Sequence, residues 1–305
     1  MVNFISKRSL WLSISTIFVV ASIVALASWG FKLGIDFTGG SLLEVRFNGI
    51  QPSVNDIEKS LTDLKLNSLT AQPAENEGMI LRFQQTSEDV HQAVLENLKK
   101  LAKNQGAKDP FLEEQRFESV GPSIGQELQS KAIYAIILVL IAISLYIAWA
   151  FRKVSRPVAS WKYGTATLIA LFHDVVIVLG FFAILGHFLG VEVNTIFVAA
   201  ALTVLSFSVH DTIVVFDRIR ENLPRSNQDF AGTVNVSLNQ TIHRSVNTSL
   251  TVLLVLAAIY LLGGISIKYF ALSLLVGIFF GTYSSIFLAS PLLVIWDNMS
   301  RKKAK

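Results

Sequence analysis

The sequence predicts an α-helical polytopic membrane protein with six transmembrane helices and one small α+β domain between the first two. Three observations predict it. The chain is 52% hydrophobic with only 16% charged residues, and its mean hydropathy of +0.52 is too high for an ordinary soluble protein. Six apolar stretches are each long enough to cross a bilayer of about 30 Å at about 1.5 Å per residue. One polar stretch after the first of them carries strand and helix periodicities instead.

The spans are expected near Leu10–Trp29, Ala132–Ala150, Tyr163–Leu185, Val193–Phe216, Val246–Leu262 and Phe270–Ile295. The first follows Lys7 and Arg8, and Ala25-Leu26-Ala27 resembles a signal cleavage box. Its apolar run is longer than a signal peptide's core, so it reads as an uncleaved anchor. The last is long enough to tilt or break, and Pro291 marks the place for a break. Orientation follows the basic residues of the short loops. Lys7, Arg8, Arg152, Lys153, Arg156, Lys162, Arg218, Arg220, Arg225, Arg301, Lys302, Lys303 and Lys305 share one side. The loop Gly186–Glu192 has no Lys or Arg, and Gly263–Tyr269 has only Lys268. Both termini are therefore expected in the cytoplasm, with residues 31–130 outside, 131–297 returning as five spans, and 298–305 as a basic tail.

Within the outer segment, Ser41–Phe47 alternates like a strand. Ser53 can cap a helix to about Leu66, with Val54, Ile57, Leu61 and Leu64 on one face. Ser68–Gln72 and Met79–Gln84 read as strands around the turn Glu75-Asn76-Glu77-Gly78. Ser87 can cap a second helix with Val90, Val94, Leu98 and Leu101 on one face, ending before Gly106, and Gln115–Val120 reads as the last strand. The order β-α-β-β-α-β is that of a ferredoxin-like fold.

The absence of cysteine excludes a disulfide framework and thiolate metal sites. The five histidines lack metal-ligand spacing, and the net charge of +4 comes with no basic-aromatic patch for nucleic acid. Gly34–Gly40 (GIDFTGG) has no following G-K-[ST], so Gly39 and Gly40 read as a tight turn into a strand, with Asp36 bonding backbone N–H groups there. Gly121, Pro122 and Gly125 form a hinge or an elbow leading into the second span; the pattern does not separate the two.

The chemistry is expected inside the membrane, where an ionisable side chain costs at least a few kcal/mol unless paired, hydrated or protonated. Asp211 lies near the end of the fourth span, Asp174 within the third, and Arg244 just before the fifth. Counted from the outer helix ends, Asp211 and Arg244 lie at similar depth, about 27 Å. They can therefore face each other and form a charge pair that is made and broken by protonation. Asp174 is a further relay member or a structural polar group, His173 a structural neighbour, and His210 a bystander. Asp217, Arg218 and Arg220 read as a solvated, salt-bridged helix end. Gly277 and Gly281 suit close helix packing.

GIDFTGG (Gly34–Gly40), ESVGPSIGQEL (Glu118–Leu128), HDVVIVLG (His173–Gly180), DTIVVFDRIREN (Asp211–Asn222), NQTIHRSVNTSLT (Asn239–Thr251) and GTYSSIFLASPL (Gly281–Leu292) occur in that order. On these motifs the chain resembles the SecF side of the SecDF family of bacterial protein export, which is RND-type. The resemblance implies half of an RND-type bundle in the cytoplasmic membrane, with SecD as the other half. It implies the SecY-channel translocon (SecYEG), YajC and translocating preproteins as partners beside the lipid bilayer. It implies no enzyme activity and no cofactor, with protons as the coupling ion, and relay roles for the positions of Asp211 and Arg244. Many relatives carry an acid where this chain has Lys268-Tyr269, so that acid's role does not transfer. The rival readings are an exporter of small molecules or lipids, which needs larger outer domains, and a translocon assembly factor, which has no use for paired intramembrane charges.

Overall fold

The structure is a computed structural model that describes residues 2–74, 76–84, 87–152 and 158–303. Lys153, Arg156 and Lys305 of the expected basic side, and Glu75 of the expected turn, lie outside the described residues. The chain forms two compact units: Met1–Lys32 with Ile133–Lys305, and Leu33–Ala132.

Helix α1 spans Arg8–Trp29. The second unit follows. It opens with a single helical turn, α2 (Ile35–Thr38), where a simple turn was expected. Strand β1 (Gly40–Phe47), helix α3 (Val54–Ser60), strands β2 (Thr70–Ala74) and β3 (Gly78–Phe83), helix α4 (Glu88–Asn104) and strand β4 (Leu112–Val120) complete it. The sheet order is β2-β3-β1-β4 with every neighbouring pair antiparallel. Leu43, Val45, Phe47, Met79, Leu81 and Phe83 project from one face of the sheet, and Ile57, Leu61, Val94 and Leu98 from the helices close over them. Strand periodicity of two and helix periodicity of 3.6 thus converge on one core.

The departures from expectation are local. Ser53 caps α3, accepting from Asp56 N–H at 3.2 Å, but the helix tightens after Ser60 into a 3-10 turn and ends at left-handed Lys65. Strand β2 starts two residues later than expected because Ser68 has φ 56°, and it accommodates Pro73 because it is an edge strand. Ser87 makes no side-chain cap bond; Glu88 and Asp89 occupy the first turn of α4 instead. Asn76 and Glu77 are both left-handed, as a tight hairpin demands.

Two glycine motifs that looked separate form one joint. A Cβ on Gly39 would lie 2.9 Å from Pro122 Cα, and one on Gly125 would lie 3.0 Å from both Gly39 N and Phe37 O. The backbones touch because neither side has a side chain.

The remaining helices are α5 (Pro122–Ala150), α6 (Ser160–Leu189), α7 (Thr195–Asn222), α8 (Phe230–Leu262), α9 (Ile265–Ser284) and α10 (Ser290–Lys303), the last two joined by a π-helical segment, Ser285–Ala289. Proline at the first position starts α5, Asn194 caps α7 at Phe197 N–H (2.9 Å), and Asp229 caps α8 at Gly232 N–H (2.8 Å). Among the described residues six helical stretches are long and apolar enough to cross a membrane. The helix of the fifth span, α8, begins at Phe230, well before the expected Val246, because its first half is polar and hidden from a hydropathy reading. The last span is not broken at Pro291. Proline cannot donate to the carbonyl four residues back, and its ring crowds that carbonyl. The preceding turn widens into the π segment, and Ser290 Oγ donates to Ser285 O at 3.0 Å.

Helices α6, α7 and α9 form the buried centre, with α1 against α6 and α8 against α7 and α9. Missing side chains set these approaches. A Cβ on Gly180 would lie 2.3 Å from Ser22 Cβ, and one on Gly277 2.1 Å from Val204 Cγ2.

Candidate functional site

Two carboxylates are buried between the central helices. Asp174 on α6 is fully buried. Its Oδ2 accepts hydrogen bonds from Ser208 Oγ on α7 (2.5 Å) and Ser284 Oγ on α9 (2.7 Å), and its Oδ1 lies 2.8 Å from His173 Nδ1. Three helices therefore converge on one carboxyl group. Gly281 explains the closeness: a Cβ there would sit 3.2 Å from Ser208 Cβ and 3.7 Å from Asp174 Oδ2. The His173 ring lies parallel to Tyr283, centroids 6.2 Å apart, and edge-on to Phe280, while its Nε2 has no hydrogen-bond partner among the described residues. Tyr283 in turn donates to Trp11 O at 3.0 Å, which ties this cluster to α1.

Asp211 is one helical turn beyond Ser208 on the same face of α7, and is buried at 9% exposure. Its Oδ2 accepts from Thr282 Oγ1 on α9 (3.1 Å) and from Ser249 Oγ on α8 (3.4 Å), and these two hydroxyls are 2.5 Å apart. The two carboxylates thus have separate hydroxyl pairs, each with one member on α9. A carboxylate held only by hydroxyls can take up a proton without breaking an ion pair. The acid form loses the charge that strengthens the hydrogen bonds from Thr282 and Ser249, so protonation loosens the hold of both hydroxyls on Asp211.

Arg244 is not brought to Asp211. It is exposed on α8 and makes no ion pair among the described residues. The expected pairing matched depth but not direction. Ser249, which does reach Asp211, is five residues further along α8, so Arg244 points about 140° away. It belongs instead to an exposed polar stripe of His243, Arg244, Asn247, Thr248 and Thr251.

The other expected residues fall as follows. Asp36 is in the first turn of α2. Gly39, Gly40, Gly121, Pro122 and Gly125 make the backbone joint and the strand and helix starts described above. Asp217 pairs with Arg220, and Arg218 pairs with Glu221 at 2.8 Å, as expected of a solvated helix end. Arg218 Nε also donates to Gln240 Oε1 on α8 at 2.7 Å. His210 is exposed. Lys268 Nζ lies 5.7 Å from the centre of the Tyr260 ring. Among the described residues no group of three or more His, Asp or Glu side chains could hold a metal ion.

Sequence reasoning missed Ser208, Ser249, Thr282 and Ser284. Their signal was present: hydroxyls inside apolar runs, with Ser208 three residues before an intramembrane acid and Thr282 and Ser284 flanking Tyr283 just after a small-residue pair.

Residues 99–299 match the family model of protein export membrane protein SecD/SecF, C-terminal, and residues 24–49 match the SecD/SecF GG motif. Along 98% of its length the chain is 44% identical to the protein translocase subunit SecF of Thermobaculum terrenum, covering 95% of that protein. The chain belongs to the SecF family. A second SecF, from Anaerolinea thermophila, is 40% identical over 98% of this chain and 95% of its own length. The crystal structure of SecDF, a translocon-associated membrane protein from Thermus thermophilus, superposes with a TM-score of 0.82 at 33% identity and covers 97% of this chain. This chain spans 39% of that longer SecDF chain. SecDF in its super-membrane-facing form superposes with a TM-score of 0.69. The GG-motif match contains Gly39 and Gly40, and the SecD/SecF C-terminal match contains both buried carboxylates with all four hydroxyls.

Proposed function

We propose that this SecF-family chain is the SecF half of a SecDF complex that uses the proton-motive force to promote preprotein movement through the SecYEG channel. In this reading it works beside SecD and YajC, contacts emerging preproteins, and takes no cofactor other than the coupling proton. The observation that carries the reading is Asp211, a buried carboxylate held by Thr282 and Ser249 from two different helices. Its protonation weakens both charge-assisted hydrogen bonds, and so loosens how α7, α8 and α9 hold one another. Asp174 on α6, held by Ser208 from α7 and Ser284 from α9, forms the second station.

The polar stripe through Arg244 supports SecD as the partner. An arginine cannot face lipid at this depth without an anionic partner or water. The stripe therefore faces a second membrane subunit, and Arg244 meets a carboxylate there. The six-span bundle is then half of an RND-type arrangement. The sheet order β2-β3-β1-β4, with β1-α3-β2 and β3-α4-β4 as its two helix-bearing connections, supports a ferredoxin-like reading of the outer unit. The basic residues of the short loops support a reading with both termini in the cytoplasm and that unit outside.

The test is translocation into vesicles carrying SecD and this chain, with and without an imposed proton gradient. Asp211→Asn keeps the side chain's size but cannot cycle between charge states. The gradient-dependent increment is expected to vanish while SecD copurifies as before. A full increment in Asp211→Asn with normal SecD binding overturns the relay.

A further inference from the structure

A second device lies at the other end of α8. Residues preceding α1 cross over the first half of α8 and are gripped there by two asparagines. Val2 N–H donates to Asn239 Oδ1 (2.9 Å), and Val2 O accepts from both Asn239 Nδ2 (2.8 Å) and Asn235 Nδ2 (3.1 Å). Phe4 N–H donates to Asn235 Oδ1 (2.9 Å), and Ile5 N–H approaches the same oxygen at 3.4 Å. The spacing is matched. Asn235 and Asn239 are about one helical turn, or 6 Å, apart along the axis, and they meet the backbones of Val2 and Phe4, two residues apart in the strap. Both amide functions of each asparagine are used on the same backbone stretch.

The strap does not end at α8. Phe4 sets its ring edge-on to Phe287 of the π segment (5.9 Å), Trp11 Nε1 donates to Phe4 O (3.3 Å), and the Trp11 ring lies 4.4 Å from Phe287. One short stretch therefore holds α8 on one side and the π segment on the other. Ser249 follows Asn239 by ten residues on α8, and Thr282 precedes the π segment on α9. Those are the two hydroxyls that meet at Asp211. On about the opposite side of α8, Ser237 and Gln240 are tied to α7 through Asn222 (2.8 and 2.9 Å).

We propose that Asn235 and Asn239 are positioning residues for the relay: by gripping Val2–Ile5 they fix α8 against the π segment and so set the approach of Ser249 and Thr282 to Asp211. The inference rests on the relay reading above. Neither asparagine touches Asp211; they act through the register of α8.

The test uses the cysteine-free chain in complex with SecD, in vesicles that report translocation with and without a proton gradient. Asn235→Ala with Asn239→Ala is expected to bind SecD normally, to keep gradient-independent translocation, and to lose at least about fourfold of the gradient-dependent increment. Val2→Cys with Asn239→Cys replaces the grip by a disulfide. The increment is expected near wild type when the disulfide is formed and to fall when it is reduced. Equal activity of the two redox states, or full activity of the double alanine variant, overturns the proposal. So does activity only in the reduced state, because the strap would then have to open. Asp211→Asn in the same assay separates the two failures: if it keeps its increment, the relay reading has failed rather than the strap.

Discussion

Acids inside apolar runs announce themselves in a sequence, and the hydroxyls that hold them do not. Asp174 and Asp211 were legible because a carboxylate in a span has few bland uses. Ser208, Ser249, Thr282 and Ser284 were not, because serine and threonine are ordinary in membrane helices and commonly bond their own backbone, as Thr282 also does with Ile278 O at 3.0 Å. Thr282→Val tests their role. An average intramembrane hydrogen bond contributes only about 0.6 kcal/mol to folding, so SecD binding and melting temperature should barely change. Thr282 is one of the two donors to Asp211, so if that same loss falls on the proton cycle the gradient-dependent translocation rate should fall about threefold. In the second unit, Glu44 gives a pH prediction. It is 8% exposed on β1, and burial raises its carboxyl above the usual range, with Arg116 partly offsetting this. The folded state then holds the proton more tightly than the unfolded one. Stability therefore rises as pH falls through the raised folded value, and levels off below the ordinary carboxylate value. Glu44→Gln should raise the melting temperature of the full chain at neutral pH, with the gain disappearing in acid. An equal gain at both pH values would mean that charge is not the cause.

At the scale of elements, periodicity placed the strands and the two longer helices of the second unit and apolar length placed the spans, while α2 was missed and boundaries moved wherever backbone geometry intervened. Ser68 shifted a strand two residues along by taking a left-handed conformation, and Pro291 widened a turn rather than breaking a helix. The length of α8 was missed because half of it is polar, and the Arg244 pairing failed because depth along a helix says nothing about the direction a side chain faces. Glycines, by contrast, were read correctly as packing positions at Gly277 and Gly281, and the structure adds a third at Gly180. Gly180→Ala places a Cβ 2.3 Å from Ser22 Cβ and 2.4 Å from Ser22 Cα, which is backbone and cannot swing away. Overpacking of this kind costs about 1–3 kcal/mol. A clear drop in melting temperature is expected, with α1 displaced from α6. An unchanged melting temperature would mean that α1 is not held at this contact.

For the whole molecule, the apolar runs placed the six spans, and the charge pattern supports the proposed orientation. Glu96, exposed on α4, offers a test of the outer placement. Glu96→Cys in this cysteine-free chain should react with a membrane-impermeant maleimide in intact cells, whereas labelling only after rupture would invert the topology. The proposed relay was only partly legible, since its acids lie on single helices but its geometry exists only where α6, α7, α8 and α9 meet, and the polar stripe through Arg244 is exposed. The most direct test of the relay is therefore proton movement itself. Proteoliposomes holding this chain with SecD, loaded with a pH-sensitive dye and given an imposed gradient, should admit protons in the wild type. With Asp211→Asn they should admit no more than protein-free liposomes. Proton entry at the wild-type rate through the Asp211→Asn complex would contradict the account.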